Sequence, residues 1–436
     1  MALARSACGA GRVRGSWSRR RGARALKYDV FFSISQTPVE GFMPSEQKML
    51  RSFFKQVEAA DRLGYETAWV AESHLSSEVQ KSHANPVIPH WQGEVGLNTD
   101  IFQLAARVFA RTERIEVGSA VMNLLCNGGP IAHAERLAAF LALHGLDPAE
   151  SRRLRLGFSA GRFEFMSRAH GVRPRSELEE LVWPVLRGQV FGEACEVFLR
   201  LARGEALSSA DVGATALTRG MFRSDDHWEP AHRLASAQGA VRADGAIQIP
   251  RRWEFERLKV VPQEVRRDLC DLVLGSHDPE LQVAVNHWAP VKVFNLSITA
   301  PAVVEATHER MAAAYHRDGG RWRREHMPRT VMVFLNEEPG LSAEERRSSA
   351  AAEAERALRA YWMALQGTVD AATLDNAAEN AVIGDAEAVA AQLRARYHPE
   401  DRLMLWFDFF NHDCARVISN MSAFMERVVP RLGGSG

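Results

Sequence analysis

From Tyr28 onward the chain alternates short apolar runs with longer amphipathic ones. "YDVFFSIS" has the composition of a strand. In "SEQKMLRSFFKQVEAADRLG" the positions Leu50, Phe53, Phe54 and Val57 fall on one helical face, with Ser45 as N-cap and Gly64 as stop. "ETAWVAE" is a second strand, followed by a helix over "TDIFQLAARVFART" that starts at Thr99 or Asp100. "RIEVGSAVMNL" and "RLRLGFSAGR" give strands three and four, each followed by a helix. The fourth helix, over residues 175–204, is expected to break at Pro184 and Gly188. "DLVLGS", "VKVFNLSI", "RTVMVFLNEE" and "DRLMLWFDFF" begin four further strand–helix pairs, and "DAEAVAAQLRARY" adds a short helix before the last strand.

Eight such pairs predict a parallel sheet, because a parallel crossover needs a dozen or more residues and a helix supplies them. The count fits an α/β (β/α)8 TIM barrel. An open doubly wound sheet is the alternative, though no G-x-G-x-x-G follows the first strand. Residues 204–262 lose the periodicity and are rich in Gly, Ala, Asp and Arg, which predicts an insertion or lid between helix 4 and strand 5. The expected organisation is a disordered Arg-rich leader over 1–27 and a barrel over 28–436.

Charge sharpens that division. The whole chain balances 54 basic against 54 acidic residues, but residues 1–27 carry eight basic residues and no acid. The remainder is then 46 basic against 54 acidic, the wrong sign for a nucleic-acid partner. The leader has no apolar stretch of the kind a secretory signal needs, and no run of 18 apolar residues suggests a membrane span. Five scattered cysteines without a C-x-x-C pair are those of a reduced, cytoplasmic protein. No histidine spacing suggests a metal site.

In such a barrel the chemistry sits at the C-terminal ends of the strands. Strand 2 ends in Glu72, Ser73 and His74, where an imidazole is either a general base or hydrogen-bond donor, or a solvated loop residue. Strand 3 ends near Asn123, whose amide suits a planar heterocycle. In "GFSAGR", Gly161 lets a ligand approach the backbone and Arg162 suits a phosphate. Gly275-Ser276, just before a helix starting at Asp278-Pro279, form either a phosphate seat or only an N-cap.

Taken in order, "LGYETAWVAESH", "RIEVGSAVMNL", "GPIAHAERLAAF", "LRLGFSAGR" and "VLGSHDPE" resemble the bacterial luciferase-like, flavin-dependent monooxygenases, as does the close of the chain. The resemblance spans about residues 28–432. It implies a barrel that binds reduced FMN, or in one branch a deazaflavin used for hydride transfer. In the main branch a separate flavin reductase supplies the reduced cofactor, which reacts with dioxygen to a flavin hydroperoxide that oxygenates a small organic substrate. The family also contains non-catalytic flavin-binding subunits and commonly forms dimers. Position by position, it implies that Ser276 is the phosphate-binding serine, that Gly161 lies beside the cofactor, and that Ala120-Val121 is where a non-prolyl cis peptide packs against the flavin. Two positions depart from the family pattern. The histidine that usually follows the strand 2 acid is replaced by Ser73, with His74 next, and the strand 4 arginine before the glycine is replaced by Ala160.

Overall fold

The computed structural model describes residues 26–83, 85–296, 298–366 and 378–433. The leader expected over 1–27 lies outside these except at its end, where Lys27 is already the first residue of a strand. Eight barrel strands follow in order: β1 (Lys27–Phe32), β2 (Thr67–Val70), β3 (Glu116–Ser119), β4 (Leu154–Ser159), β5 (Cys270–Leu274), β6 (Val291–Val293), β7 (Arg329–Leu335) and β8 (Arg402–Trp406). The helices that follow them are α1 (Glu46–Leu63), α2 (Ile101–Phe109), α3 (Gly129–His144), α4 (Glu177–Ala202), α5 (Pro279–Trp288), α6 (Pro301–Ala314), α7 (Ala343–Leu365) and α8 (Cys414–Ala423).

All ladders between barrel strands are parallel, and the order β7-β8-β1-β2-β3-β4-β5-β6 curls the sheet into an α/β barrel. Between β6 and β7 there is one parallel bridge instead of a ladder: Asn295 N donates to Pro328 O (2.9 Å) and Thr330 N to Asn295 O (3.0 Å). Val382–Gly384 adds a ninth parallel strand on the far end of β7.

The caps are those the sequence prescribes. Ser45 accepts from Lys48 N at the start of α1, Asp100 from Phe102 N and Gln103 N at α2, and Asp278 from Glu280 N and Leu281 N at α5. Gly64 closes α1 with φ +90. Helix α4 runs unbroken through Pro184 and Gly188, contrary to the expected interruption. Both residues lie on the exposed side, where the carbonyl that loses its donor can turn to water. Residues 204–262 contain a helix (Asp225–Ala237) and a two-stranded antiparallel sheet (Ala216–Leu217 with Ile247–Gln248). They lie along the outside of α4, where Glu193 accepts from the backbone of Arg252 and Trp253, and Arg252 pairs with Glu179.

The lumen below the mouth is filled. Trp69, fully buried, lies on Gly118, where any Cβ would come within 2.4 Å of the indole. Phe31, Val273, Phe294 and Met404 complete this layer. Beneath it Asp29 accepts from Trp69 Nε1 (2.7 Å) and Arg402 (2.7 Å), while Asp271 meets Lys292 (2.8 Å) and Arg155 (3.1 Å). Burial pushes Asp29 up; for Asp271, burial opposes but Lys292 and Arg155 win and hold it well below the usual carboxylate range. A cavity of about 720 Å³ opens at this N-terminal end, lined by these cations and by Arg153, Arg203 and Arg267. Barrel helices end there, and cations compensate their C-terminal carbonyls, as Arg267 does for Ala202 O. This end is a charged floor, and the open chemistry lies above the aromatic layer.

Candidate functional site

At the mouth the barrel divides into two unlike arcs. Over β2 to β5 the residues reaching the opening are small: Ala71, Ala120, Val121, Ser159 and Gly275. Over β6 to β8 they are large and apolar: Phe294, Met332, Phe334 and Trp406.

Glu72 organises the small-residue arc. Its carboxylate, with the side chain 1% exposed, accepts from Asn123 N (3.1 Å), from Ile101 N at the first turn of α2 (3.3 Å) and from His74 Nε2 (3.1 Å). The acid therefore ties the ends of β2 and β3 to a helix N-terminus, where a negative charge is favourable. His74 is 3% exposed and packs edge-on to His170, with ring centroids 5.9 Å apart. This is a buried, carboxylate-bound imidazole, and the solvated-loop reading of His74 does not describe it. Ser73 is buried, donates its N–H to Asn98 O, and has its Cβ against Gly96.

Strand 3 does not run straight into Asn123, as the sequence suggested. It stops at Ser119, the Ala120–Val121 peptide is cis, and Met122–Asn123 then pairs with Phe158 and Ser159 of β4. The Val121 side chain lies over Gly157 and Gly275; a Cβ on Gly157 would stand 2.1 Å from Ser119 O and 2.7 Å from Val121 Cγ1, and one on Gly275 3.0 Å from Val121 Cγ2. Gly157→Ala therefore drives a methyl into a backbone carbonyl. It is expected to lower stability by about 3 kcal/mol or more, read as a shifted urea midpoint.

Gly161 has φ +76 and lies on the Asn123 amide, whose Nδ2 would be 2.2 Å from a Cβ there. Asn123 Oδ1 accepts from Leu125 N, while Nδ2 is buried without a partner among the described residues, as is Ser119 Oγ. Arg162 is exposed beside Phe163 and pairs with no described carboxylate. On the neighbouring strand, Ser276 Oγ accepts from Asp278 N (3.2 Å), which leaves its own hydrogen free, and Ser276 O accepts from Gln282 (2.8 Å). His277 and Thr299 are hydrogen-bonded beside it (3.2 Å), and burial lowers the pKa of His277.

All ten residues singled out from the sequence thus lie along one arc, on the ends of β2 to β5. Two further residues reach the mouth. His170 reaches His74 from a loop nearly a hundred positions away, and nothing local marks it. Asp408, just past β8, lies between aromatic residues, and burial pushes its carboxyl up to about 7. Among the described residues no group of three His, Cys, Asp or Glu is arranged to hold a metal ion, and no helix is long and apolar enough to cross a membrane.

The arc fits a flavin phosphate and ring. The Ala120 methyl and the Val121 side chain, seated on the glycines, leave a low surface that suits a flat ring system, the Asn123 Nδ2 and Ser119 Oγ atoms want partners, and Arg162 with Ser276 offers charge and a hydroxyl donor to a phosphate.

Residues 30–230, which include β2 to β4 and most of this arc, match the family described as luciferase-like monooxygenase. No curated protein sequence matches the chain. Among solved structures, the monooxygenase RslO1 from Streptomyces bottropensis is similar at 18% identity and TM-score 0.62, over 93% of this chain and 99% of that one. The oxygenating constituent of 3,6-diketocamphane monooxygenase from Pseudomonas putida, in complex with FMN, is similar at 15% identity and TM-score 0.55, over 93% and 98%. A riboflavin lyase solved with modified FMN and riboflavin is similar at 13% identity and TM-score 0.53, over 94% and 91%. At these identities the structures speak for the fold, and the sequence match speaks for the family. Residues 30–230 thus match the luciferase-like monooxygenase family, and the barrel as a whole has the fold of these monooxygenase structures.

Proposed function

We propose that this protein is the oxygenating component of a flavin-dependent monooxygenase, using reduced FMN from a separate reductase and dioxygen to oxygenate a small organic molecule. The observation that carries this reading is the small-residue arc, with Arg162 and Ser276 on adjacent strand ends and the buried Glu72–His74 pair at its side. A flat cofactor against Ala120 and Val121 would have its phosphate within reach of Arg162 and Ser276. Reduced FMN, when bound, would supply the activation of dioxygen. The chain's own contribution is to bind, orient and exclude water: Trp69, Phe31 and Phe294 seal the lumen below, and the aromatic arc walls the opposite side. The Glu72 carboxylate fixes the orientation of the imidazole, so His74 can hold or pass a proton at Nε2 or Nδ1 without reorganising.

The test is an anaerobic titration with reduced FMN, then rapid mixing with aerated buffer. Binding followed by a long-lived absorbing species supports the proposal. Binding of a reduced deazaflavin but not of FMN assigns the hydride-transfer branch instead. Failure to bind either leaves a barrel without redox function. Ser276→Asp is expected to weaken reduced FMN at least tenfold, about 1.4 kcal/mol, because a carboxylate then faces the phosphate. Unchanged affinity in the same titration takes Ser276 out of the site.

A further inference from the structure

The aromatic arc is continuous from the lumen to the roof of the mouth. Phe31 meets Trp406 (4.7 Å), Trp406 meets Phe409 (4.7 Å), Phe409 meets Phe410 (5.0 Å), and Phe410 meets Trp91 (6.5 Å), the first three pairs nearly edge-on. Trp91 comes from the loop after β2 and Trp406 from the end of β8, so two distant segments converge on one apolar surface. Trp406, Phe410 and Ile298 of this surface stay partly accessible.

Trp91 Nε1 is buried without a hydrogen-bond partner among the described residues, and Trp406 Nε1 and Asp408, which face each other, fall short of a well-formed hydrogen bond. An orphaned buried donor or acceptor costs about 1–3 kcal/mol, so under-satisfied polar groups in an aromatic cluster require an explanation. A packed core would use Phe in place of either tryptophan at no such cost. A surface that receives a ligand oxygen would carry these groups.

We propose that this arc is the substrate-binding face, and that it takes a flat aromatic molecule carrying a phenolic or carbonyl oxygen, held by the Trp406 indole N–H and by Asp408. The edges and faces of Phe409, Phe410 and Trp91 offer the ring-to-ring contacts a flat aromatic prefers. Asp408 holds its proton up to about neutral pH, because burial disfavours the charge, so it can serve as an O–H donor to that same oxygen. The substrate then lies opposite the Ala120–Gly161 arc, with the space between the two arcs left for the cofactor. This inference rests on the reading of the mouth as a flavin-dependent oxygenation site, which it extends by naming the substrate class.

The test is calorimetric titration of the full chain with 2-naphthol and with 2-methylnaphthalene, which keeps the rings and lacks the oxygen. The naphthol is expected to bind at least tenfold tighter. Trp406→Phe keeps the ring and removes the N–H; it is expected to bring the naphthol down to the affinity of the hydrocarbon and to leave the hydrocarbon's affinity alone. Asp408→Ala, read by the same ratio, serves if Trp406→Phe does not fold. Equal affinities in the wild type, a ratio untouched by both substitutions, or no binding of either compound overturns the inference. A reduced-FMN titration on the same preparation separates the two readings. Naphthol preference without FMN binding removes the flavin function and leaves this face standing, whereas FMN binding without naphthol preference does the reverse.

Discussion

Replacing Glu72 with glutamine is expected to cost about 1–3 kcal/mol of stability, although the two side chains have nearly the same shape. Both carboxylate oxygens are in use, one by Asn123 N and His74 and the other by Ile101 N. An amide supplies one oxygen and one NH2 group, so one set of donors faces another donor in a site from which water is excluded. Whichever way the amide turns, the start of α2 or the end of β3 loses its anchor. Double-mutant analysis makes the prediction specific to the pair. Glu72→Gln and His74→Ala each lower the urea midpoint, and the double variant loses less than the sum by about 0.5–3 kcal/mol. Strict additivity would mean that His74 is not held by Glu72, and would remove the dyad from the proposed mechanism.

Asp408→Asn is expected to stabilise the protein more at pH 8 than at pH 5. The folded carboxyl titrates at about 7, against 3.8 for an unperturbed aspartate, because its buried charge is poorly solvated. Between those values the folded state keeps a proton that the unfolded state has lost. Stability therefore falls as pH rises from about 4 to about 7 and is level above that. A gap of this size amounts to about 2–4 kcal/mol at roughly 1.36 kcal/mol per pH unit. The Trp406 indole and the Ser33 backbone N–H partly offset the penalty, and Lys48 and His412 line the hollow beside Asp408. Burial lowers the pKa of His412, so it adds no charge near neutrality. Asparagine cannot ionise and escapes the penalty. Urea midpoints of both proteins at pH 5 and pH 8 decide it, and a difference that does not change with pH would show that Asp408 is ionised throughout.

The barrel was legible because alternation is a local property. Each of the eight apolar runs is bounded by residues with their own turn or cap chemistry, such as Ser45, Gly64, Asp100 and Asp278, and these do not depend on the rest of the chain. Pro184 misled because local sequence says nothing of which side of a helix meets water. The small-residue arc was legible for a similar reason: Glu72, Gly161 and Ser276 all stand at the ends of recognisable strands. The aromatic arc was not. Phe334, Tyr361 and Phe409 come from three separated segments, and only the assembled fold brings them into one cluster with Trp91. The burial of Asp408 and the approach of His170 to His74 exist only after the strands are assembled.

The bridge between β6 and β7 has a dynamic consequence. Elsewhere neighbouring strands share ladders several residues long, except at the short pairing of β3 with β4, whereas this seam is held by the Asn295 and Thr330 amides. Few bonds need break for it to part, so it belongs to the low-stability end of the fold. Native-state hydrogen exchange is expected to be faster at those two amides than at the amides of β1 and β8. The barrel would then breathe on its aromatic side, next to Phe294 and Phe334, while the arc from β2 to β5 keeps its shape. A bulky guest could enter by widening that gap without disturbing whatever rests against the glycines.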